Sequence, residues 1–235
     1  MENEQKIFTE AMQGIFMNLM DGKYIINPLE LRLFSNNPDD TEDAKPNYNY
    51  LISYCKNFFK VYKPKLEHYH IDVLEIMLNK LFGKFDIDEN TDFSRLKATD
   101  YPILSDLHNV LNAEYEAYNQ MEYPIYKAET LQELNLSLRS ICVGNDSRYF
   151  NGHTNIDSDM FITFGVKEAM TANEELKNLM LFNALSYMAD ATLTAGNTFA
   201  VIDELHGFLT NPVALDYIRN NIKRNRKRNS GMIIA

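Results

Sequence analysis

Cysteine is scarce in this 235-residue chain, with Cys55 and Cys142 the only two. Two thiols so far apart in sequence make neither a disulfide framework nor a zinc knuckle. That fits a reducing compartment, and each reads as a small buried hydrophobe. A long apolar run is also missing. Spanning a bilayer takes ~20 apolar residues, and even the stretch from Leu179 to Met188 is interrupted by Asn183 and Ser186. No membrane span is therefore expected. The N-terminus carries Glu2 and Glu4 and has no basic segment ahead of an apolar one, which argues against a secretory signal and for a cytoplasmic protein. No internal repeat of fixed period is present. With 45% hydrophobic and 24% charged residues, the composition excludes a disordered chain and a stapled mini-protein.

Positive charge is lacking except in one place. The chain carries 33 acidic and 23 basic side chains, a net charge of -10. Residues 219–235 hold Arg219, Lys223, Arg224, Arg226, Lys227 and Arg228 and no acid, leaving 17 basic against 33 acidic side chains, a balance of -16, on the rest. Such a body repels nucleic acid, so any phosphate contact must be local to that run or come from partner chains.

Three segments follow from patterning. Tyr24 to Glu30 is a β-leaning run stopped by Pro28, and it predicts a strand leaving a sheet. Ser35 to Pro46 is acidic, contains two prolines and lacks apolar periodicity, as a surface loop does. From Tyr48 to about Val143, apolar residues recur at three and four: Leu51, Tyr54, Cys55 and Phe58, then Val73, Ile76 and Met77, then Leu104, Leu107 and Leu111, then Leu131, Leu134, Leu138 and Ile141. That spacing predicts amphipathic helices with no intervening strand of comparable length.

After Gly144 the pattern changes. Met160 to Val166 is apolar on both faces and predicts a buried strand. Thr171 to Glu174 fits a capping box opening a buried helix to about Leu193. Thr198 to Ile202 is a second apolar run, Asn211-Pro212 an N-cap with a proline at the first helical position, and Gly231 to Ala235 a third strand. Strand, helix, strand, helix, strand implies right-handed crossovers and a parallel sheet, cut off at both chain ends. The expected architecture is α/β with an all-helical insertion: residues 1–34 start the α/β domain, 35–145 form the insertion, and 146–235 complete the α/β core.

The sharpest chemical candidate is Phe199-Ala200-Val201-Ile202-Asp203-Glu204, an apolar strand ending in two acids. In a phosphate-hydrolysing site, the first carboxylate would reach the Mg²⁺ hydration shell and the second would orient or deprotonate the attacking water. Asp203 is then the metal ligand and Glu204 the base, although apolar strands also end in acids that merely cap the next turn. The basic run ends a predicted helix, where cations suit the negative end of the dipole. It reads either as a solvated terminus, or as a source of an arginine finger or a DNA-backbone contact. His68, His70 and Asp72 read either as metal ligands or as ordinary polar residues at the surface, and His206 either as a residue at a site edge or as a turn cap. No G-x-x-x-x-G-K-[ST] occurs, and at Gly22-Lys23 the required hydroxyl residue is replaced by Tyr24.

Taken together, several segments resemble a known family. They are Ile202 to His206 with Leu209, the pair Arg226-Lys227 before a strand, Phe150 to Asp157 before Phe161 to Val166, Lys167-Glu168, and Ile26 to Glu30. Taken in their order along the chain and over nearly its whole length, they are similar to the conjugative-transfer ATPases, the large ATPases of type IV secretion systems, especially those of integrative conjugative elements. The resemblance implies a partial RecA-like parallel sheet with an all-helical inserted subdomain. It also implies a motor that couples ATP hydrolysis to DNA or protein transfer. Asp203 and Glu204 fall in the family's second nucleotide motif, with ATP and Mg as the cofactors of the intact protein. Arg224 or Arg226 falls in its basic motif, and spacing does not decide between them.

Partners implied are other secretion components, further copies through the motor domain, and DNA through residues 219–228, at the inner face of the cell membrane. Gly165 departs from the family, whose relatives tend to carry an acid there. The family's P-loop lies upstream of Asn27-Pro28-Leu29-Glu30 and its Thr-Gln sensor after the last strand, so these 235 residues are expected to be catalytically inactive alone and to bind neither cofactor tightly. The alternative is a non-enzymatic remnant that contacts DNA or other components.

Overall fold

A computed structural model describes residues 2–32, 47–156, 161–195, 197–203, 211–225 and 229–234. The chain divides into two compact units. One comprises Asn27–Leu31 and Pro46–Thr154, the other Met1–Ile26, Arg32–Lys45 and Asn155–Ala235.

The first unit is helical, built from α2 (Tyr48–Tyr62), α3 (His68–Gly83), α4 (Leu104–Ala117), α5 (Ala128–Cys142) and the short α6 (Ser147–Phe150). The apolar residues that recur at three and four turn inward, and Leu51, Phe58, Phe59, Leu74, Met77, Leu107, Leu111, Leu131, Leu134 and Leu138 are fully buried. Capping is local: the Asn47 side chain accepts the Tyr50 N–H at 3.1 Å, and the Asp106 carboxylate accepts the Ile103 N–H at 2.9 Å. Phe58 packs edge-on against Phe59 and Phe150, with centroids 5.4 and 6.0 Å away.

Asn27 to Leu31 is buried in this unit as an irregular segment, which corrects the strand expected from Tyr24 to Glu30. Asn27, with no exposed surface, donates from Nδ2 to the Pro102 carbonyl at 2.9 Å and accepts the Leu29 N–H at 3.0 Å. Its own N–H donates to Thr154 Oγ1 at 3.0 Å. The Tyr101 hydroxyl donates to the Leu31 carbonyl at 3.1 Å. Side chains therefore take up main-chain groups that a ladder would have used, and the Asn27 turn competes with extended backbone.

In the second unit, α1 (Glu2–Ala11) leads into β1 (Ile15–Asn18), which pairs in parallel with β2 (Ile162–Gly165) in the register Ile15 to Ile162. The turn between them passes so close to Phe161 that a Cβ on Gly14 would lie 2.2 Å from the Phe161 carbonyl oxygen. Thr9 of α1 shares a 2.7 Å hydrogen bond with Thr163, so α1 covers the face bearing Phe16, Asn18, Thr163 and Gly165. The opposite face carries Met17 and Phe164, and Phe164 packs edge-on against Tyr187 of α7 (Glu174–Asp190) at 5.9 Å. The cap of α7 is Asn173, whose side chain accepts the Leu176 N–H at 2.9 Å. Thr171, expected in that role, instead donates to the Glu168 carbonyl at 2.7 Å and ends a 3₁₀ turn.

A π-helical turn, Ala191–Ala195, follows α7 and leads to β3 (Phe199–Ile202). The helix α8 (Pro212–Asn225) then returns the chain to β4 (Gly231–Ile234), parallel to β3 in the register Phe199 to Gly231. Asn211 caps α8 as expected, accepting the Val213 and Ala214 N–H groups at 3.0 and 3.2 Å. Leu181 and Leu185 of α7, Ile202 of β3 and Ile218 of α8 form one core cluster, against which Val166, Met188 and Met232 pack. Among the described residues the four strands form two separate two-stranded parallel sheets.

Candidate nucleotide-motif edge

The β3 strand alternates in burial: Ala200 and Ile202 are inside, while Phe199 and Val201 are 71% and 62% exposed. The sequence reads as a strand covered on both faces, and one face is open. The strand ends by presenting Asp203, exposed, at its carboxyl edge. Carboxyl edges of parallel strands are where open α/β sheets place ligands, and a carboxylate oxygen there suits a hard cation such as Mg²⁺. Glu204 and His206 lie outside the described residues, as does Arg226. Arg224 lies on the last turn of α8 by its backbone. Of the basic run, Arg219 is described and stands at the surface, 3.4 Å from Asp216 with both side chains 70% exposed.

A phosphate cradle is not formed by the described residues around Gly22-Lys23. Gly22 has φ 68° in a turn, the Lys23 N–H donates to Asp21 Oδ1 at 2.8 Å, and the Lys23 ammonium lies 5.0 Å over the Tyr24 ring. Among the described residues, no helix directly follows whose N-terminal amides could receive a phosphate. A groove of about 580 Å³ runs along β1, lined by Asn3, Lys6 and Glu10 of α1 with Asp21, Lys23 and Glu168. Its mixed charge favours neither an anion nor a cation.

The candidate metal-ligand histidines are placed otherwise. His68 and His70 open α3, and His70 Nε2 lies 2.7 Å from a Glu133 carboxylate oxygen. Among the described residues no three His, Cys, Asp or Glu side chains form a group able to hold a metal ion. Cys142 is an inert buried thiol, its pKa pushed up to about 12 by burial.

Sequence reasoning missed a buried ion pair. Arg32 Nε donates to Asp190 Oδ2 at 2.8 Å, with the two side chains only 4% and 8% exposed. A second guanidinium nitrogen donates to Ser186 Oγ at 3.0 Å, and the group lies 5.9 Å from the Tyr187 ring centroid. The pair pins Arg32 to the end of α7, where the π turn begins that leads to β3. One signal was available, since Asp190 is the only charged residue between Lys177 and Asp203.

Two residues of the Phe150 to Asp157 segment, part of the family resemblance, act as hydrogen-bond clamps. Asn151 Oδ1 accepts the Ser105 N–H at 2.8 Å. Asn155 accepts the Ile25 N–H at 2.8 Å and donates to the Lys23 carbonyl at 2.9 Å.

No protein-family model matches the sequence, and no curated protein matches it. Among solved structures, VirB4 of Thermoanaerobacter pseudethanolicus is similar with a TM-score of 0.82 at 24% identity, covering 98% of this chain and 59% of that one. The chain thus spans about three fifths of that structure and shares its fold. The partial RecA-like α/β architecture with a helical subdomain is the fold of this chain. No described helix is long and apolar enough to cross a membrane.

Proposed function

We propose that the chain is part of a conjugative-transfer, type IV secretion motor ATPase, which couples ATP hydrolysis to DNA or protein transfer at the cytoplasmic face of the membrane. The observation that carries this reading is the placement of Asp203 at the carboxyl edge of a parallel strand, in a chain sharing the VirB4 fold over nearly its whole length. Asp203 would hold the Mg²⁺ that accompanies ATP, and that ion would neutralise charge developing on the transferred phosphate. Glu204, next in sequence, would hold the attacking water and take its proton. Arg224 or Arg226 would place a cation on a neighbouring copy's nucleotide, or on DNA.

These residues supply metal binding and a base, and they lack the amides and lysine that position the phosphates. Positioning and charge stabilisation make up nearly all of phosphoryl-transfer catalysis. The 235-residue chain alone is therefore expected to leave ATP unhydrolysed.

The test is Mg-ATP turnover by the full-length gene product with and without Glu204→Gln. Loss of about 100-fold or more in kcat with nucleotide still bound supports the assignment. Normal turnover by Glu204→Gln would remove Glu204 as base. A full-length protein without ATPase activity would favour the non-enzymatic alternative, in which DNA binding falls steeply with salt and is lost on neutralising Arg224, Arg226 and Arg228.

A further inference from the structure

We infer that the outer edge of β1 is a docking site for an extended peptide, held by main-chain hydrogen bonds and by two opposite charges spaced two residues apart. The inference does not depend on the motor reading. In a parallel pair, alternate residues turn their main-chain groups toward the neighbouring strand. The Ile15 and Leu19 N–H groups donate to the carbonyls of Phe161 and Gly165. In the register Ile15 to Ile162, Ile15 and Met17 therefore face β2, while Phe16 and Asn18 face away. The Asn18 carbonyl accepts the Asp21 N–H at 3.3 Å. The Phe16 N–H, the Phe16 carbonyl and the Asn18 N–H have no main-chain partner among the described residues. Two donors and an acceptor at strand spacing are what an added strand pairs with.

These groups open into the groove along β1, whose volume of about 580 Å³ is in the range of ligand sites. Lys6 and Glu10 of α1 line it together with Asp21, Lys23 and Glu168. Two cations and three anions give the groove no single sign. Nucleic acid and anionic headgroups are bound by surfaces of one sign, basic ones, so neither matches these walls. A peptide carrying both signs does.

Spacing specifies that peptide further. Lys6 and Glu10 stand about 6 Å apart along the α1 axis, and among the described residues neither makes an ion pair. Side chains two apart on one face of a strand repeat at about 6.6 Å, nearly the same interval. A strand added beside β1 thus sets two of its side chains on the α1 side, opposite Glu10 and Lys6. The residue between them falls on the other face, beside the buried Met17, where an apolar side chain fits. The recognised pattern is a cation and an anion separated by one apolar residue. A four-residue edge flanked by charge is a poor template for indiscriminate pairing, so matched charges add selectivity to the ladder.

Single-residue amide hydrogen exchange on the 235-residue chain, with capped synthetic peptides as probes, tests this. At saturation the peptide Thr-Lys-Val-Glu-Val-Thr is expected to slow exchange of the Phe16 and Asn18 amides about 10-fold or more and to leave that of Phe199 unchanged. Its fully N-methylated form, which cannot make the ladder, should protect neither. Versions with Lys-Val-Lys or Glu-Val-Glu at the centre should bind about 2–5-fold more weakly, and Glu10→Lys should move the preference to the Glu-Val-Glu peptide. Slow exchange of Phe16 and Asn18 without peptide would mean that the edge is already covered, and would overturn the proposal. Protection by none of the peptides, equal protection by the N-methylated form, a Glu10→Lys variant with unchanged preference, or protection by a single-stranded DNA oligonucleotide and not by peptide would do the same.

Discussion

The two units solve the burial problem differently. In the helical unit the amphipathic faces meet one another, and Phe58, Phe59, Leu74, Met77 and Phe82 have no exposed surface. Tyr123 and Ile125, 84% and 77% exposed, stand in a loop, and Leu136, 76% exposed, stands out from the outer face of α5. The α/β unit exposes more of them on its elements: Phe199, Val201 and Ile233 on one side of β3 and β4, and Ile7 and Phe8 on α1. Parallel strands are ordinarily covered on both faces. The helices form a finished core, whereas among the described residues the strands have one covered face and open edges.

Substitutions can break that contrast, beginning with the helical core. Phe58→Ala should destabilise the helical unit by about 3–5 kcal/mol, because a fully buried ring leaves a cavity. Chemical denaturation read by circular dichroism measures it. A loss under about 1 kcal/mol would mean that this core is less finished than its burial implies.

In the α/β unit an effect of similar size is expected at the ion pair and not at the sheet. Asp190→Leu alone should cost about 3–5 kcal/mol by stranding a buried guanidinium, whereas Arg32→Met with Asp190→Leu should recover most of it. A double variant no more stable than the single one would show that the pair does more than compensate its own charges.

The Asn27 clamp is worth less. Asn27→Ala leaves the Leu29 N–H and the Pro102 carbonyl without their side-chain partner and should cost about 1–3 kcal/mol, read as a lowered denaturation midpoint. Unchanged stability would mean that water replaces the side chain.

At the small end are pH and the open sheet face. Burial lowers the pKa of His108, with a smaller contribution from the cationic Arg139. Its neutral form is favoured in the folded state, so its contribution is full above the unfolded value of about 6.5 and is lost as pH falls through that value toward the folded one. A His108→Gln variant should show a flatter stability profile between about pH 7 and 5. Phe199→Ser, on the exposed face, should change the stability of the 235-residue chain by no more than about 0.5 kcal/mol. A large loss there would mean that the face is already covered.

How much of this was legible beforehand differs between the units for a physical reason. Helix periodicity is local, so Leu131, Leu134, Leu138 and Ile141 announced α5 and its buried stripe. Asn211 with Pro212 announced the start of α8, since a cap and its helix are neighbours in sequence. Tyr24 to Glu30 misled because strand-forming residues were captured by distant partners, Thr154 for Asn27 and Asn155 for Ile25. The true strand, Ile15–Asn18, is too short to carry a period. Asp203 was legible as the end of an apolar run, and the partnership of Arg32 with Asp190 was not, because 158 residues separate them.

The sequence by itself determined the helical subdomain, the α/β alternation and the acid at the end of β3. All of these are written in spacing along a few turns or in a short motif. Tertiary structure alone decided which strands pair, which face of β3 stays open, and where Arg32 finds its carboxylate. Those depend on contacts between residues far apart in the chain, whose pairing is selected by handedness and burial and leaves no periodic trace in the sequence.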